Sequence, residues 1–497
     1  MAETGANALT HMSERTDVVI VGGGFVGLAT AAALDDAGVR VTLLEALAGP
    51  NPAFRGELIH PRGVRALASL RLVDPLLAAG AVRVRGFAVF PPRRADPITL
   101  PYPTDRLSVE GTGLALDHAT LVDAMRQALA NRPRITLIRG ARVEDVVSRG
   151  ERIVGVRLSG GRETRAGLVV AADGRHSRIR RLLRIPTTTE LLSHSVALGF
   201  DGDVLVLPAH GHVFVDAPGP TLAYPCGPER VRMTIDVPLA RAKGRAELQT
   251  TLRECYATQL PDRMRRSMIE ALDRDGLAGA ANHAISTRAC AVPGAVLVGD
   301  AGGCSHPITA TGMTTGMHDV VTLAAAIAQY GLTDRALCRY QRRRYRFVRA
   351  REAFTHALYD VFRGADSGAL ALREGMFAYW SASGRARSAS MSVLCGDDER
   401  VATFALEYAR VVATSTSMIV GRGIADRRAG AMLAELRSML GAAGGALDVA
   451  LEKASSALAL QQTKNLRTPS DRTAPAGGRS RGRIRESQPE TPGTAHP

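Results

Sequence analysis

Residues 17–46 read DVVIVGGGFVGLATAAALDDAGVRVTLLEA. An apolar run through Val21 is followed by three glycines, an alanine-rich stretch to Gly38 and a second apolar run ending at Glu45, which is the strand, turn, helix, strand order of one βαβ unit. Gly22, Gly24 and Gly27 form G-x-G-x-x-G at the mouth of the helix. Glycine at those places allows the tight turn, admits a pyrophosphate against the backbone and lets helix and strand pack closely, while the helix N-terminus supplies a positive pole. Glu45 stands about twenty residues further on, where a carboxylate can accept both ribose hydroxyls. The unit reads as a dinucleotide site. A flavin and a nicotinamide dinucleotide satisfy it equally, and a buried structural glycine turn is the plain alternative.

The chain then leaves this domain and returns to it. A loop and helix at 52–79 and short β-prone pieces at 82–110 precede an amphipathic helix at 118–130, HATLVDAMRQALA. The segment 135–161, ITLIRGARVEDVVSRGERIVGVRLSGG, reads as a small antiparallel meander. GLVVAADG at 167–174 goes back to the nucleotide domain, and AVLVGD at 295–300 does so again. Between them, VALGFDGDVLVL, GHVFVDA, TLAYPCG and RVRMTIDV alternate apolar and polar residues, so a separate substrate-binding sheet is inserted rather than appended. The resulting division is a nucleotide domain in two parts, 15–185 and 291–345, a β-sheet domain at 186–290, a helical region at 346–463 and a basic tail at 464–497. The tail is rich in Pro, Gly, Ser and Arg, cannot repay its ordering entropy and is expected to be disordered.

Composition narrows the function classes. At 497 residues with 45% hydrophobic and 22% charged residues, the chain has the balance of a globular protein large enough for two packed domains. The formal net charge of +15 comes mostly from dispersed arginines, with one dense cluster, GRSRGRIRE, at 478–486. Nucleic acid is not an expected partner, because no basic motif with interleaved aromatics is present. Six scattered cysteines form no metal-ligand or redox pair, which suits a reduced cytoplasmic protein and leaves no metal site. The first fifteen residues include Glu3 and Glu14 and do not resemble a secretory signal. The most apolar stretch, Val401 to Val420, is interrupted by Glu407 and Arg410 and is not expected to span a bilayer.

Two further segments decide between the dinucleotides. Asp173 to Arg180, DGRHSRIR, follows the strand LVVAA and resembles the DGxxSxxR segment of flavin-dependent hydroxylases, with an ordinary helix cap at Asp173 as the alternative. GDAGGCSHPITATGM at 299–313 places Asp300 ahead of a glycine-rich turn and a helix start. Such a helix N-terminus stabilises the negative charge of a reduced flavin ring.

The resemblance narrows to the squalene epoxidases on six stretches in order: FRGELIHPRGVRAL at 54–67, LPYP at 100–103, HVFVDAPGPTLAYPCGPERVRMTIDVP at 212–238, QLPDRMRRSMIEAL at 259–272, VGDAGGCSHPITATGMTTGMHDV at 298–320 and ALYDVFRGADSGALALREGMFAY at 357–379. It covers roughly 17–400. The resemblance implies an α/β fold with a Rossmann-type FAD-binding domain, an inserted mixed β-sheet substrate domain and a helical C-terminal region. It also implies FAD contacts at Gly22, Gly24, Phe25, Val26, Gly27, Glu45, Leu58, Val143, Asp173, Asp300, Gly312 and Met313, with Arg55 close by. Tyr102 and His306 are the expected catalytic residues that shape the site beside the ring.

The chain departs from the family at His118 and Thr120, where Arg or Gln is common, and at Gly303, Cys304 and Ser305, where the family has Asn-Met-Arg. A relative with a changed substrate is implied. The expected activity is monooxygenation through a flavin C4a-hydroperoxide, with epoxidation of an alkene in an apolar isoprenoid, polyene or prenylated aromatic. The alternative is an aromatic-ring hydroxylase reduced directly by NAD(P)H. The expected partners are an apolar substrate, O2, NAD(P)H or a separate flavin- or cytochrome-type reductase as donor, and a membrane surface. The last is drawn from Met432, Leu433, Leu436, Met439 and Leu440, which recur at helical spacing near Arg427, Arg428 and Arg437. An ordinary core helix has the same period.

Overall fold

The computed structural model describes residues 16–49, 56–92, 96–103, 111–241, 244–275, 278–364 and 366–462. Arg55 and the tail at 464–497 lie outside them.

Two sheets organise the molecule. The first has six strands in the order Ala291–Val292, Ala295–Leu297, Leu168–Ala171, Val18–Val21, Val41–Glu45, Ile135–Arg139. All neighbours are parallel except the first pair. Val18–Val21 is central and wholly buried, which is why its run is apolar without alternation. The helix Phe25–Asp36 packs on this sheet beside Gly312–Tyr330.

Ile135–Arg139 is the point at which the expected meander was wrong. It pairs with Val41–Glu45 as the parallel edge strand, and the antiparallel meander is only Val143–Arg149, Arg152–Leu158 and Glu163–Arg165. Alternation cannot separate the two, because an edge strand is also half-exposed.

The second sheet runs Ala278–Thr287, Thr187–Asp201, Arg230–Pro238, Thr221–Gly227, His210–Phe214, Gly86–Phe90, Ile98–Pro101. It is mixed, because His210–Phe214 and Gly86–Phe90 are parallel, and it draws its last two strands from before residue 186. Each face is buried against something different. Phe214, Met233 and Ile235 meet Met264, Met268 and Leu272 of the helix Asp262–Asp275, while Val213 and Val215 turn to the opposite core.

That opposite core is closed by the helical region: Asp334–Arg363, Ser367–Ala382, Gly384–Cys395, Val401–Ala425 and Ala429–Gln462. The stripe near the end of the chain is split. Met439 is fully buried and Met432 and Leu436 pack on the core, but Leu433 and Leu440 are about half exposed. Among the described residues no helix is long and apolar enough to cross a membrane.

Candidate active site

The dinucleotide turn separates its glycines by task. Gly22 has φ +109°, a conformation that L side chains rarely adopt, and a Cβ there would lie 2.5 Å from the Ala172 carbonyl oxygen. A Cβ on Gly27 would meet the Gly22 carbonyl oxygen at 1.8 Å, so helix and strand can approach only without one. Gly24 differs. Its backbone is extended and nothing lies within 4 Å of a Cβ, so the protein's own packing does not require glycine there. The open space lies at the N-cap of a helix that has no side-chain cap. That is the arrangement a pyrophosphate needs.

Glu45 accepts hydrogen bonds from the backbone N–H of Gly23 (2.7 Å) and Leu47 (2.8 Å), one on each oxygen. Each oxygen keeps a lone pair for a ribose hydroxyl. Val143 opens its strand with its side chain in the nucleotide-domain core. Val26 lies against Gly299 and Gly316, which brings the first helix close to the second glycine turn, and Phe25 is buried beside it.

That second turn is supported from below. Asp319 accepts from the Gly299 N–H (2.8 Å) and from Arg344 Nε (2.9 Å), and Arg344 Nη2 also donates to the Gly299 carbonyl (3.2 Å). Both side chains are buried. Burial pushes the Asp319 carboxyl up, and the adjacent guanidinium opposes this. Arg180 donates to the carbonyls of Ala301 and Arg175, both at 2.8 Å, and ties the Asp173 segment to the Asp300 turn. Asp173 accepts from the N–H groups of Arg178 (2.7 Å) and Ile179 (3.1 Å), so its carboxylate acts as a helix cap. Asp300 is half-buried in the turn. Gly312 and Met313 begin a helix whose N-cap, Thr311, makes no side-chain cap, and around Gly312 there is again open space.

Tyr102 and His306 occupy separate networks. The Tyr102 hydroxyl is 2.8 Å from His60 Nδ1, and His60 Nε2 is 2.9 Å from the Thr309 carbonyl. A carbonyl only accepts, so Nε2 carries the proton and Nδ1 accepts from the tyrosine. Burial lowers the His60 pKa to about 4 and raises that of Tyr102, so both groups are neutral at pH 7. Leu58 belongs to the same apolar cluster as Tyr102. His306 accepts from the Ile308 N–H at Nδ1 (3.2 Å), which leaves Nε2 to donate to Asp236 (3.0 Å). Its ring stacks on Tyr359 at 4.0 Å, and Tyr359 donates to the same carboxylate (3.1 Å). Ser193 and Asn282 complete that buried set. Both ring nitrogens of His306 are thus used within the protein, where they fix the turn at 306–309.

An apolar chamber of about 90 Å³ lies between these turns and the helical region. Phe87, Leu100, Ile308 and Thr309 form one wall, and Phe354, Phe362, Trp380, Met391 and Phe404 are among the residues of the other.

The middle of the chain carries the family assignment: residues 165–424, just over half of its length, match the squalene epoxidase family model. The chain belongs to the squalene epoxidase family. It is therefore an FAD-dependent monooxygenase. Residues 3–60 match a second model, pyridine nucleotide-disulphide oxidoreductase, over the βαβ segment. Squalene epoxidase 1 of Arabidopsis thaliana is 31% identical over 405 residues, covering 79% of this chain and 76% of that protein. The squalene monooxygenase of Mus musculus is 27% identical, covering 79% and 70%.

Among solved structures, PqsL, described as a probable FAD-dependent monooxygenase from Pseudomonas aeruginosa, aligns with a TM-score of 0.60 at 22% identity, over 76% of this chain and 99% of that one. Klebsiella pneumoniae HpxO complexed with FAD and uric acid aligns with a TM-score of 0.64 at 20% identity, over 77% and 97%. These two support the fold.

His60, Asp236 and the Asp319–Arg344 pair were not assigned roles from the sequence, and Arg180 was singled out only as the last residue of the DGxxSxxR segment. Asp236 could not have been found there, because an acidic residue on the other face of an alternating strand is unremarkable in sequence. His60 carried a faint signal, a lone histidine between an apolar strand and the Pro61 that starts a helix.

Proposed function

We propose that this enzyme adds one oxygen atom from O2 across a carbon–carbon double bond of an apolar isoprenoid, polyene or prenylated aromatic, with electrons from NAD(P)H or from a separate reductase. The observation that carries the reading is the chamber: an apolar space whose wall includes Ile308 and Thr309, directly after the His306 turn and before the open helix start at Gly312. Gly22, Gly24, Gly27 and Glu45 would hold the pyrophosphate and ribose of FAD, with Phe25, Val26, Leu58, Val143, Asp173, Asp300, Gly312 and Met313 along its length. Bound FAD supplies the activation of oxygen and its transfer.

The protein's own part is positioning and exclusion of water. Tyr102 directs its O–H to His60 Nδ1, so its oxygen remains able to accept from a donor in the site. His306, held by Asp236, sets the turn that carries Ile308 and Thr309. The apolar walls keep water from the reacting centre. Apolar substrate would be met at a membrane surface, where exposed Ile424 and Leu433 lie within a few residues of Arg427 and Arg428, and Leu440 lies three residues after Arg437.

The test is the product formed under labelled oxygen gas from a prenylated phenol, which offers both a double bond and a ring. One labelled atom in an epoxide supports the reading. A label on the ring as a hydroxyl would replace it with the hydroxylase reading.

A further inference from the structure

The chamber's two walls differ in chemistry. The wall contributed by the second sheet and the 307–309 turn is Phe87, Val89, Leu100, Val213, Ile308 and Thr309. The wall contributed by the helices is the one with a carboxylate, Glu407, along with the hydroxyls of Ser390 and Tyr408. Glu407 is on Val401–Ala425 and only 7% exposed. A carboxylate buried beside an apolar space is costly unless it is hydrogen-bonded.

Glu407 and Ser390 are each held by one of two consecutive residues of Ser367–Ala382. Tyr379 donates its hydroxyl to Glu407 Oε2 at 2.7 Å, and Trp380 donates its indole N–H to Ser390 Oγ at 2.9 Å. Arg410, whose side chain reaches solvent, pairs with the other Glu407 oxygen. A carboxylate has about four lone-pair sites, so these two donors leave room for a third. Ser390 accepts from tryptophan and keeps its own proton to give. Glu407 thus keeps capacity to accept and Ser390 to donate, and a ligand hydroxyl can use either.

We propose that the chamber binds an alkene with a polar, hydrogen-bond-donating end, an alcohol in preference to a pure hydrocarbon, and that Glu407 receives it. This rests on the reading of the chamber as the substrate site. A hydrocarbon end in the same place strips water from the carboxylate and returns no hydrogen bond. Sites built to bond a substrate hydroxyl discriminate strongly against analogues that lack it.

The chain's single tryptophan is Trp380, in the chamber wall, so ligand binding can be read without turnover. The FAD-loaded full chain is titrated with farnesol and with the hydrocarbon farnesene while Trp380 fluorescence is followed. The alcohol is expected to bind at least about 10-fold more tightly. Glu407→Leu is expected to abolish that preference. Glu407→Gln, which keeps an acceptor for Tyr379, is expected to retain part of it and guards against a variant that merely misfolds. Equal affinities in the wild type, or a preference unchanged in both variants, would overturn the proposal and reduce Glu407 to the partner of Arg410. If the preference holds but neither probe yields an epoxide, the epoxidase reading falls and the binding proposal stands. An epoxide formed with no binding preference has the reverse meaning.

Discussion

The nucleotide side and the chamber side of this molecule build their sites from different materials. The nucleotide side uses backbone: glycine turns, two helix N-termini without side-chain caps and a few carboxylates that fix loops. The chamber uses side chains from segments as far apart in sequence as Phe87 and Val411, brought together by four helices, a sheet and the 307–309 turn. A backbone site tolerates little change at a few positions and is indifferent elsewhere, whereas a side-chain chamber can be altered gradually. A fold built this way can change its substrate while keeping its cofactor.

The largest expected effects fall on the backbone side. Asp319→Asn would leave Arg344 buried without its counter-charge and detach Gly299 from its support. A loss of about 3–5 kcal/mol in stability is expected, measured by denaturant unfolding. Gly27→Ala, forced against the Gly22 carbonyl, is expected to cost roughly 1–3 kcal/mol or to prevent folding. If either variant unfolds like wild type, the two regions do not differ as described.

A smaller effect is expected with pH. Burial holds His60 and His212 at about 4 and His318, which also faces Arg62, Arg343 and Arg344, at about 3. The folded state binds these protons less readily than the unfolded chain, whose histidines titrate near pH 6.5. Stability is therefore complete above that pH and declines as pH falls toward 4, by on the order of 3 kcal/mol for a fully buried histidine such as His60. Melting temperature measured across this window should fall, and His60→Gln should flatten part of the decline. A curve identical to wild type would remove His60 from this account.

Much of the backbone side was legible because a motif is a local arrangement. G-x-G-x-x-G, the Asp300 turn and the strand pattern all lie within short windows, and the inserted sheet announced itself by alternation. The exception, Ile135–Arg139, has a composition that suits either sheet. The chamber was not legible in detail. Asp236 and His306 are 70 residues apart. Glu407 was read only as an interruption in an apolar run, although it lies in the chamber wall. Tertiary pairing of that kind has no periodic signal.

The weakest effect expected is at the membrane. Vesicles of anionic lipid should carry down a small, salt-sensitive fraction of the protein, since each basic residue near such a surface contributes about 1 kcal/mol. Ile424→Ser together with Leu433→Ser should reduce it. Protein that remains in the supernatant at low salt would show that these residues are only the outer face of the helical layer.

The most direct test of the backbone account is Gly24→Ala, measured as the melting temperature of the apoprotein and as FAD affinity in one preparation. A Cβ at that position meets nothing within 4 Å in the protein itself. The account predicts an apoprotein that melts with wild type and an FAD affinity reduced by at least about tenfold, because the space belongs to the pyrophosphate. Undiminished FAD affinity would contradict it.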